Sequence, residues 1–396
     1  MFKIIEDINR FKLLQKEQWD IQGINSVPCF IESGPECGII GMQKVLGYGY
    51  TRFIMQFEND YLQLHYNKED MKKNFEEFLK RYRKDKSYLK FLMDVDVEMG
   101  DELYEFIKHI KPKIDDMTDA ELTANYRKLF QTFSDAFNTS HLIESIALVS
   151  DTMLKDMLMK ELKARTHKDK NDIEKEWNNF NECLTLLTQP NQMPFVVEAE
   201  NMLYKIIMEV KNNKELKSLL ISNKDPKEKV RELEKFSKAN DMISNYIDKF
   251  YWIKTTWIGG KYLTKADFTE DLKRIIANGE KLNFIEEESF RQSEKERKLL
   301  LKKLKLSKDL LGMIEITSVT TYWQDIRKIK MLKGILAMQR FISEIAERKG
   351  IKEQNLKYIM IEELPLLDDI KPDGAEKLDK MLEERRKASA YLFIND

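Results

Sequence analysis

The 396-residue chain carries 67 lysines and arginines against 68 aspartates and glutamates. This balance excludes a global electrostatic field that would attract nucleic acid or an anionic membrane. No apolar run approaches the roughly 18 residues of a membrane span. The cysteines, Cys29, Cys37 and Cys183, fit no zinc-site spacing and favour reduced thiols, so we expect a cytoplasmic protein without nucleic-acid or membrane partners.

The first 66 residues are predicted to form a helix, a glycine-rich connector and a β-hairpin that pack on a helical body. Phe2–Trp19 has the apolar spacing of an amphipathic helix. Glycines then concentrate between residues 34 and 49, but the GxxxxGK[ST] and GxGxxG spacings of phosphate loops are absent. We therefore interpret this stretch as a folded connector.

The hairpin is predicted at residues 51–66. A two-residue turn at Asn59-Asp60 pairs residue 57 with 62, 55 with 64 and 53 with 66. All six of these side chains are apolar, so they share one face of the hairpin. Because an isolated hairpin is marginal in water, this face is expected to rest on helices.

The chain is predicted to be helical from residue 67 to 364. Only 8 prolines and 14 glycines in the whole sequence favour long helices. Asn67 and Thr264 are expected to cap helices, and Thr118 with Glu121 forms a predicted capping box. Residues 365–396 are polar and contain two prolines, which predicts a C-terminal tail or linker.

The central element is a predicted helix at about 314–349, without proline and with apolar side chains on nearly every side. Such a helix is typical of the middle of a bundle. We therefore predict a mainly α fold, a multi-helix bundle around this helix, in which Ile329, Leu336, Phe341 and Ile345 are buried.

Trp323, Arg327 and Lys330 lie on one stripe of this helix and are the predicted ligand-binding residues. A buried cation needs a partner. One interpretation supplies a carboxylate from the chain, for instance Asp325, Glu315 or a distant one. The other leaves both cations facing a cleft for an anionic small molecule, with Trp323 as a stacking wall.

No catalytic residue, metal site or cofactor is predicted. Thr139-Ser140-His141 has the form of a phosphohistidine triplet, but Phe137-Asn138 precedes it where a glycine pair is usual, and a helical run follows. The carboxylates Asp94, Asp96 and Glu98 point in different directions on a helix, which disfavours a metal cluster. The GxSxG, HExxH and Walker motifs are absent.

Four stretches, taken in order, look like the α-helical module of phosphoenolpyruvate-utilising proteins of the pyruvate phosphate dikinase, phosphoenolpyruvate synthase and rifampicin phosphotransferase type. The resemblance covers most of the chain and ends in Ala346, Arg348, Gly350, Tyr358 and the run Glu362-Glu363-Leu364. The stretches are RFIMQFENDYLQLHYN, LTLLTQPNQMPFVVEAENMLYKI, FYWIKTTWIGGKYLTKADFTEDL and TYWQDIRKIKMLKGILAMQRFISEIAERKGIKEQNLKYIMIEEL.

The resemblance implies an acceptor-binding or accessory module that lacks the family's swivelling phosphohistidine domain and its ATP-grasp domain. It implies that any phosphotransferase activity needs a separate partner carrying such a domain, and no catalytic residue is carried over. Two alternatives stay open: a helical protein–protein interaction protein with no small-molecule site, and an enzyme whose chemistry the sequence does not reveal.

Overall fold

The computed structural model describes residues 16–166, 180–190, 192–279, 284, 287–368 and 370–395. It is mainly α-helical with one small antiparallel sheet, which confirms the predicted fold class. The chain divides into two compact units. Unit 1 comprises Met1–Met157, Thr255–Gly260 and Ile326–Asp396, and unit 2 comprises Leu158–Lys254 and Lys261–Asp325.

The sheet belongs to unit 1 and has four antiparallel strands in the order β1-β3-β2-β4. The predicted hairpin register is confirmed, because Phe57 pairs with Leu62 and Phe53 with Tyr66. Asn59 and Asp60 both have positive φ, which suits the tight turn between the strands. The strands are β1 (Trp19–Asn25), β2 (Arg52–Glu58), β3 (Tyr61–Asn67) and β4 (Ser389–Ile394).

The two outer strands were not predicted. Residues 16–18 are not helical and Trp19 begins β1, so the predicted helix is wrong there, while Phe2–Gln15 lie outside the described residues. The segment 365–396, predicted as a tail or linker, contains a helix and β4. Pairing with β3 and β2 supplies the backbone partners that decide the conformation of these two strands.

The glycine-rich connector consists of short helical turns. Its glycines permit close packing, because a Cβ on Gly41 would lie 1.7 Å from Asn138 Oδ1, and one on Gly38 would lie 2.7 Å from the Phe53 ring. The connector ends at Gly47, whose φ of 76° is left-handed. Its turns are α1 (Pro28–Ile31), α2 (Ser33–Glu36), a π-helical turn (Cys37–Gly41) and α3 (Met42–Leu46).

The remaining helices begin at several of the predicted caps. Asn67 accepts hydrogen bonds from Glu69 N and Asp70 N, and Thr118 and Thr264 both form capping boxes. The helices are α4 (Lys68–Lys84), α5 (Tyr88–Ile110), α6 (Asp119–Asp135), α7 (Leu142–Thr166), α8 (Phe180–Thr188), α9 (Phe195–Asn212), α10 (Lys214–Ile221), α11 (Pro226–Leu233), α12 (Ser237–Phe250), α13 (Lys265–Asn278), α14 (Glu287–Leu304), α15 (Lys308–Lys349), α16 (Glu353–Leu356) and α17 (Pro372–Lys387), with 3-10 turns at Lys111–Asp116 and Ile361–Leu367.

The predicted central helix is α15, which begins at Lys308 rather than near residue 314 and has 42 residues. Leu336, Phe341 and Ile345 are buried as predicted, while Ile329 is half-buried. In the part of the chain that is described, none of the helices has the length and apolar character needed to cross a bilayer.

Candidate functional site

Unit 1 contains a pocket of about 130 Å³. It lies against the inner face of the sheet, where Gln22 and Ile24 of β1 pair with Leu64 and Leu62 of β3. Most of its walls are apolar, and a few polar side chains converge among them. The apolar lining comprises Ile24, Phe30, Ile31, Leu64, Phe133, Phe137, Trp257 and Met331; the other lining residues are Gln22, Ser33, Gly34, Cys37, Tyr66, His141, Glu144 and Arg327.

Arg327 and Glu144 form an ion pair in the pocket wall. Arg327 Nη2 lies 2.5 Å from Glu144 Oε1, and Gln22 Nε2 donates to Glu144 Oε2 over 3.1 Å. Burial alone would raise the pKa of Glu144, but the Arg327 charge and the Gln22 hydrogen bond outweigh it and hold that pKa below its ordinary value. Glu144 is therefore the distant carboxylate that the sequence left open as a partner for Arg327.

His141 lines the same pocket and is nearly fully buried. Its Nδ1 lies 3.5 Å from Cys37 Sγ, and the Cys37 thiol donates to the Gly34 carbonyl over 3.1 Å. Burial lowers the pKa of His141 to about 4, so the imidazole is neutral at physiological pH. Burial raises the pKa of Cys37, so this residue is a thiol rather than a reactive thiolate.

The turn between α6 and α7 concentrates unsatisfied polar groups. Thr139 Oγ1, Ser140 Oγ and His141 Nε2 are all buried without a hydrogen-bond partner among the described residues. Most buried polar atoms in proteins are hydrogen-bonded, and the exceptions often mark a functional site or a bound molecule. This run of three is therefore a notable feature of the pocket's surroundings.

Lys330 lies one turn beyond Arg327 but does not line the pocket. Its Nζ is 2.7 Å from Asp96 Oδ1 and donates to the carbonyl oxygens of Ala136 and Asp96 over 2.6 and 3.1 Å. The side chains of Lys330 and Asp96 are 1% and 0% exposed. Burial lowers the pKa of Lys330, although Asp96 opposes that effect. The position of Lys330 therefore favours the interpretation in which an internal carboxylate pairs with the cation.

Trp323 lies in the part of α15 that belongs to unit 2 and does not line the pocket. It is fully buried, and its Nε1 has no hydrogen-bond partner among the described residues. Gly334, one turn beyond Lys330, leaves room for Phe133, because a Cβ there would lie 2.2 Å from that ring. Of the three predicted ligand-binding residues, only Arg327 reaches the pocket.

Sequence reasoning missed His141, Glu144, Gln22 and Cys37 as pocket residues. Gln22 lies on a strand that was not predicted, and Glu144 resembles any other charge on a helix. The available signal was Thr139-Ser140-His141 itself, a polar run directly before the buried apolar residues Leu142 and Ile143. The triplet lacks the setting of a phosphohistidine motif, and its histidine lines the pocket instead.

Comparison with known proteins finds no family model, curated protein or solved structure that matches the chain. Within the described ranges, no group of three or more His, Cys, Asp and Glu side chains is arranged to hold a metal ion. The pocket and its polar groups therefore carry the functional argument.

Proposed function

We propose that the protein is a helical module that binds a small acceptor molecule in the pocket beside His141. The observation that carries this proposal is the pocket itself, where apolar walls surround a few converging polar side chains, His141, Glu144 and Arg327. Small-molecule sites commonly combine apolar walls with a few polar groups that fix the orientation of the ligand.

The size of the pocket limits the molecule that it can hold. An apolar cavity of about 150 Å³ accommodates benzene. The pocket here, at about 130 Å³, matches a single six-membered ring or the terminal part of a larger molecule. The proposed acceptor is therefore a monocyclic compound or a molecule that inserts one such group.

The proposed relationship is to phosphoenolpyruvate-utilising phosphotransferases. It rests on the order of the four similar stretches, and a mainly α fold with an N-terminal hairpin agrees with it. On this proposal the chain has no phosphohistidine of its own, and a separate protein with a phosphohistidine or ATP-grasp domain supplies the phosphoryl group. An anionic ligand, as expected from the sequence, would have to share Arg327 with Glu144, which already pairs with that guanidinium.

A set of small fluorinated aromatic probes tests the pocket. We expect 4-fluorotoluene and 4-fluorophenol to bind, with millimolar or tighter affinity, as measured by ¹⁹F relaxation. Ile24→Phe narrows the pocket from β1 and should abolish that binding. Ile21→Phe is the matched control, because Ile21 is 56% exposed on the same strand and points away from the inner face. Binding that is equal in both variants, or absent from the wild-type protein, would refute the proposed site.

Radiolabelling tests the proposed dependence on a partner. The isolated chain should take no phosphate from labelled ATP or phosphoenolpyruvate, since Thr139-Ser140-His141 is buried and the other family signatures are absent. Acid-labile phosphate on His141 would contradict the proposal and restore the triplet as a phosphorylation site.

The second candidate is a helical interaction protein without a small-molecule site. The large exposed apolar side chains among the described residues include Ile21, Phe91, Leu299 and Leu366, which lie on four different elements. Single exposed apolar residues are common on protein surfaces and indicate no interface by themselves. Binding of a small molecule in the pocket is therefore better supported than a role as an interaction protein.

A further inference from the structure

The charged side chains that line the pocket are Arg327 and Glu144, and they neutralise each other. His141 is the lining residue that could add a positive charge, but burial lowers its pKa to about 4 and keeps it neutral at physiological pH. The remaining lining residues are apolar or carry uncharged polar groups. The pocket therefore presents no net charge to a molecule that enters it.

The ion pair is held by partners from the protein itself. Arg327 Nη2 lies 2.5 Å from Glu144 Oε1, and Arg327 Nη1 donates to the Ser140 carbonyl over 3.3 Å. On the other side of the carboxylate, Gln22 Nε2 donates to Glu144 Oε2 over 3.1 Å. Each carboxylate oxygen therefore has a donor, and each terminal guanidinium nitrogen has an acceptor, before any ligand enters.

An anion would enter this pocket at a cost in free energy. To pair with Arg327 it would displace Glu144, which would leave that half-buried carboxylate without its cation. If the anion left the pair intact, it would lose its hydration shell without gaining a free cation. An uncharged molecule avoids both costs.

Resting on the proposed function, we infer that Glu144 determines the charge specificity of the pocket: by occupying Arg327 it admits an uncharged ring compound and excludes an anionic one. The side chains of the pair are 17% and 15% exposed and line the pocket, so a ligand meets both. Removing the charge of Glu144 should therefore convert the pocket into an anion site, which a purely structural role of this residue would not predict.

Two probes of the same shape test this specificity in the wild-type protein. 4-Fluorobenzoate is ionised at pH 7, whereas 4-fluorobenzamide is uncharged. In ¹⁹F titrations of the full chain we expect the benzoate to bind about tenfold more weakly than the benzamide, or weaker still, because no free cation compensates its lost hydration. Equal affinities, or tighter binding of the benzoate, would overturn the inference.

Glu144→Gln keeps the shape of the side chain and removes its charge, so Arg327 becomes available to an anion. The affinity for 4-fluorobenzoate should rise about tenfold or more over the wild-type value, the fold-change that corresponds to one charged hydrogen bond. The affinity for 4-fluorobenzamide should change little.

Glu98→Gln is the matched control, because it removes one negative charge from an exposed position on α5 that does not line the pocket. It should leave both affinities unchanged. An unchanged benzoate affinity in Glu144→Gln, or an equal rise in Glu98→Gln, would contradict the role of Glu144. The wild-type comparison of the two probes decides the inference even if Glu144→Gln does not fold.

The two proposals fail in different ways. If none of the fluorinated probes binds, the pocket is not a ligand site, and both proposals fall. If 4-fluorotoluene binds and Ile24→Phe excludes it, but the wild-type protein binds the benzoate as tightly as the benzamide, the proposed function stands. Only the charge specificity assigned to Glu144 is then refuted.

Discussion

Two ion pairs on one helix differ in what they leave accessible. Arg327 and Lys330 are one turn apart on α15, and each is paired with a carboxylate from another helix, Glu144 and Asp96 respectively. The side chains of Arg327 and Glu144 are 17% and 15% exposed and line the pocket. Those of Lys330 and Asp96 are 1% and 0% exposed.

The difference shows that sequence position on a helix does not define a binding site. Both cations satisfy the same requirement for a buried charge, which is a nearby carboxylate. Only the pair beside the pocket can also respond to a molecule that enters it. The following substitutions test this division of roles.

The largest effect is expected for Lys330→Met. This change leaves the Asp96 carboxylate buried without its cation and should lower the free energy of unfolding by about 3–5 kcal/mol, as measured by denaturant titration. Adding Asp96→Asn should recover much of the loss, because the stranded charge disappears. A loss below about 1 kcal/mol in the single variant would mean that water or another group compensates Asp96.

Arg327→Ala should cost less, about 2–3 kcal/mol, because the pocket lets water reach the stranded Glu144. The affinity for 4-fluorophenol should fall at the same time. Lys330→Met serves as the comparison, since it should reduce stability without changing the affinity of the remaining folded protein. Equal effects of the two substitutions on binding would remove the distinction between the pairs.

Acid should lower the free energy of unfolding through protonation of His141. Its pKa is about 4 in the folded protein and 6.5 ordinarily, so between these values the unfolded chain binds the proton and the folded protein does not. This contribution to the free energy of unfolding is therefore lost as the pH falls through 6.5, by about 1.6 kcal/mol between pH 6.5 and 5.

The control for this prediction is His141→Phe, which should lack this part of the pH dependence. Glu32 acts in the opposite direction, because burial raises its pKa to about 8, but it contributes equally to both proteins. Parallel pH profiles of the variant and the wild-type protein would show that His141 does not titrate as described.

The smallest effect is expected for Trp323→Phe. The substitution removes an indole N–H that has no partner among the described residues. Removing this unsatisfied group is favourable and offsets part of the free energy lost with the packing of the larger ring. We expect a loss of about 1 kcal/mol in thermal unfolding and an unchanged affinity for 4-fluorophenol. A weakened affinity would show that Trp323 contributes to ligand binding, as the sequence predicted.

The fold could be predicted from the sequence wherever local patterns decided the structure. The hairpin register followed from alternation and a two-residue turn, and the caps at Asn67, Thr118 and Thr264 followed from their side chains. Strands β1 and β4 could not be predicted, because each needs a partner strand that is distant along the chain. Their conformation depends on pairing rather than on local preference.

The site was harder to predict for a related reason. The sequence indicated that Arg327 and Lys330 needed partners, but it could not show which carboxylates would meet them across the fold. Glu144 and Asp96 lie on separate helices, and only their packing against α15 separates a pocket wall from a closed interior. Buried polar atoms such as His141 Nε2 are likewise visible only once their neighbours are known.

The position of β4 has a consequence for synthesis on the ribosome. Phe53 of β2 pairs with Phe393 of β4, so one edge of the hairpin has no partner until nearly the whole described chain has emerged. At typical elongation rates this interval lasts on the order of tens of seconds. An unpaired strand edge invites association with other chains. Nascent chains that stop before residue 389 should therefore be more prone to aggregate, or to need a chaperone, than chains that include β4.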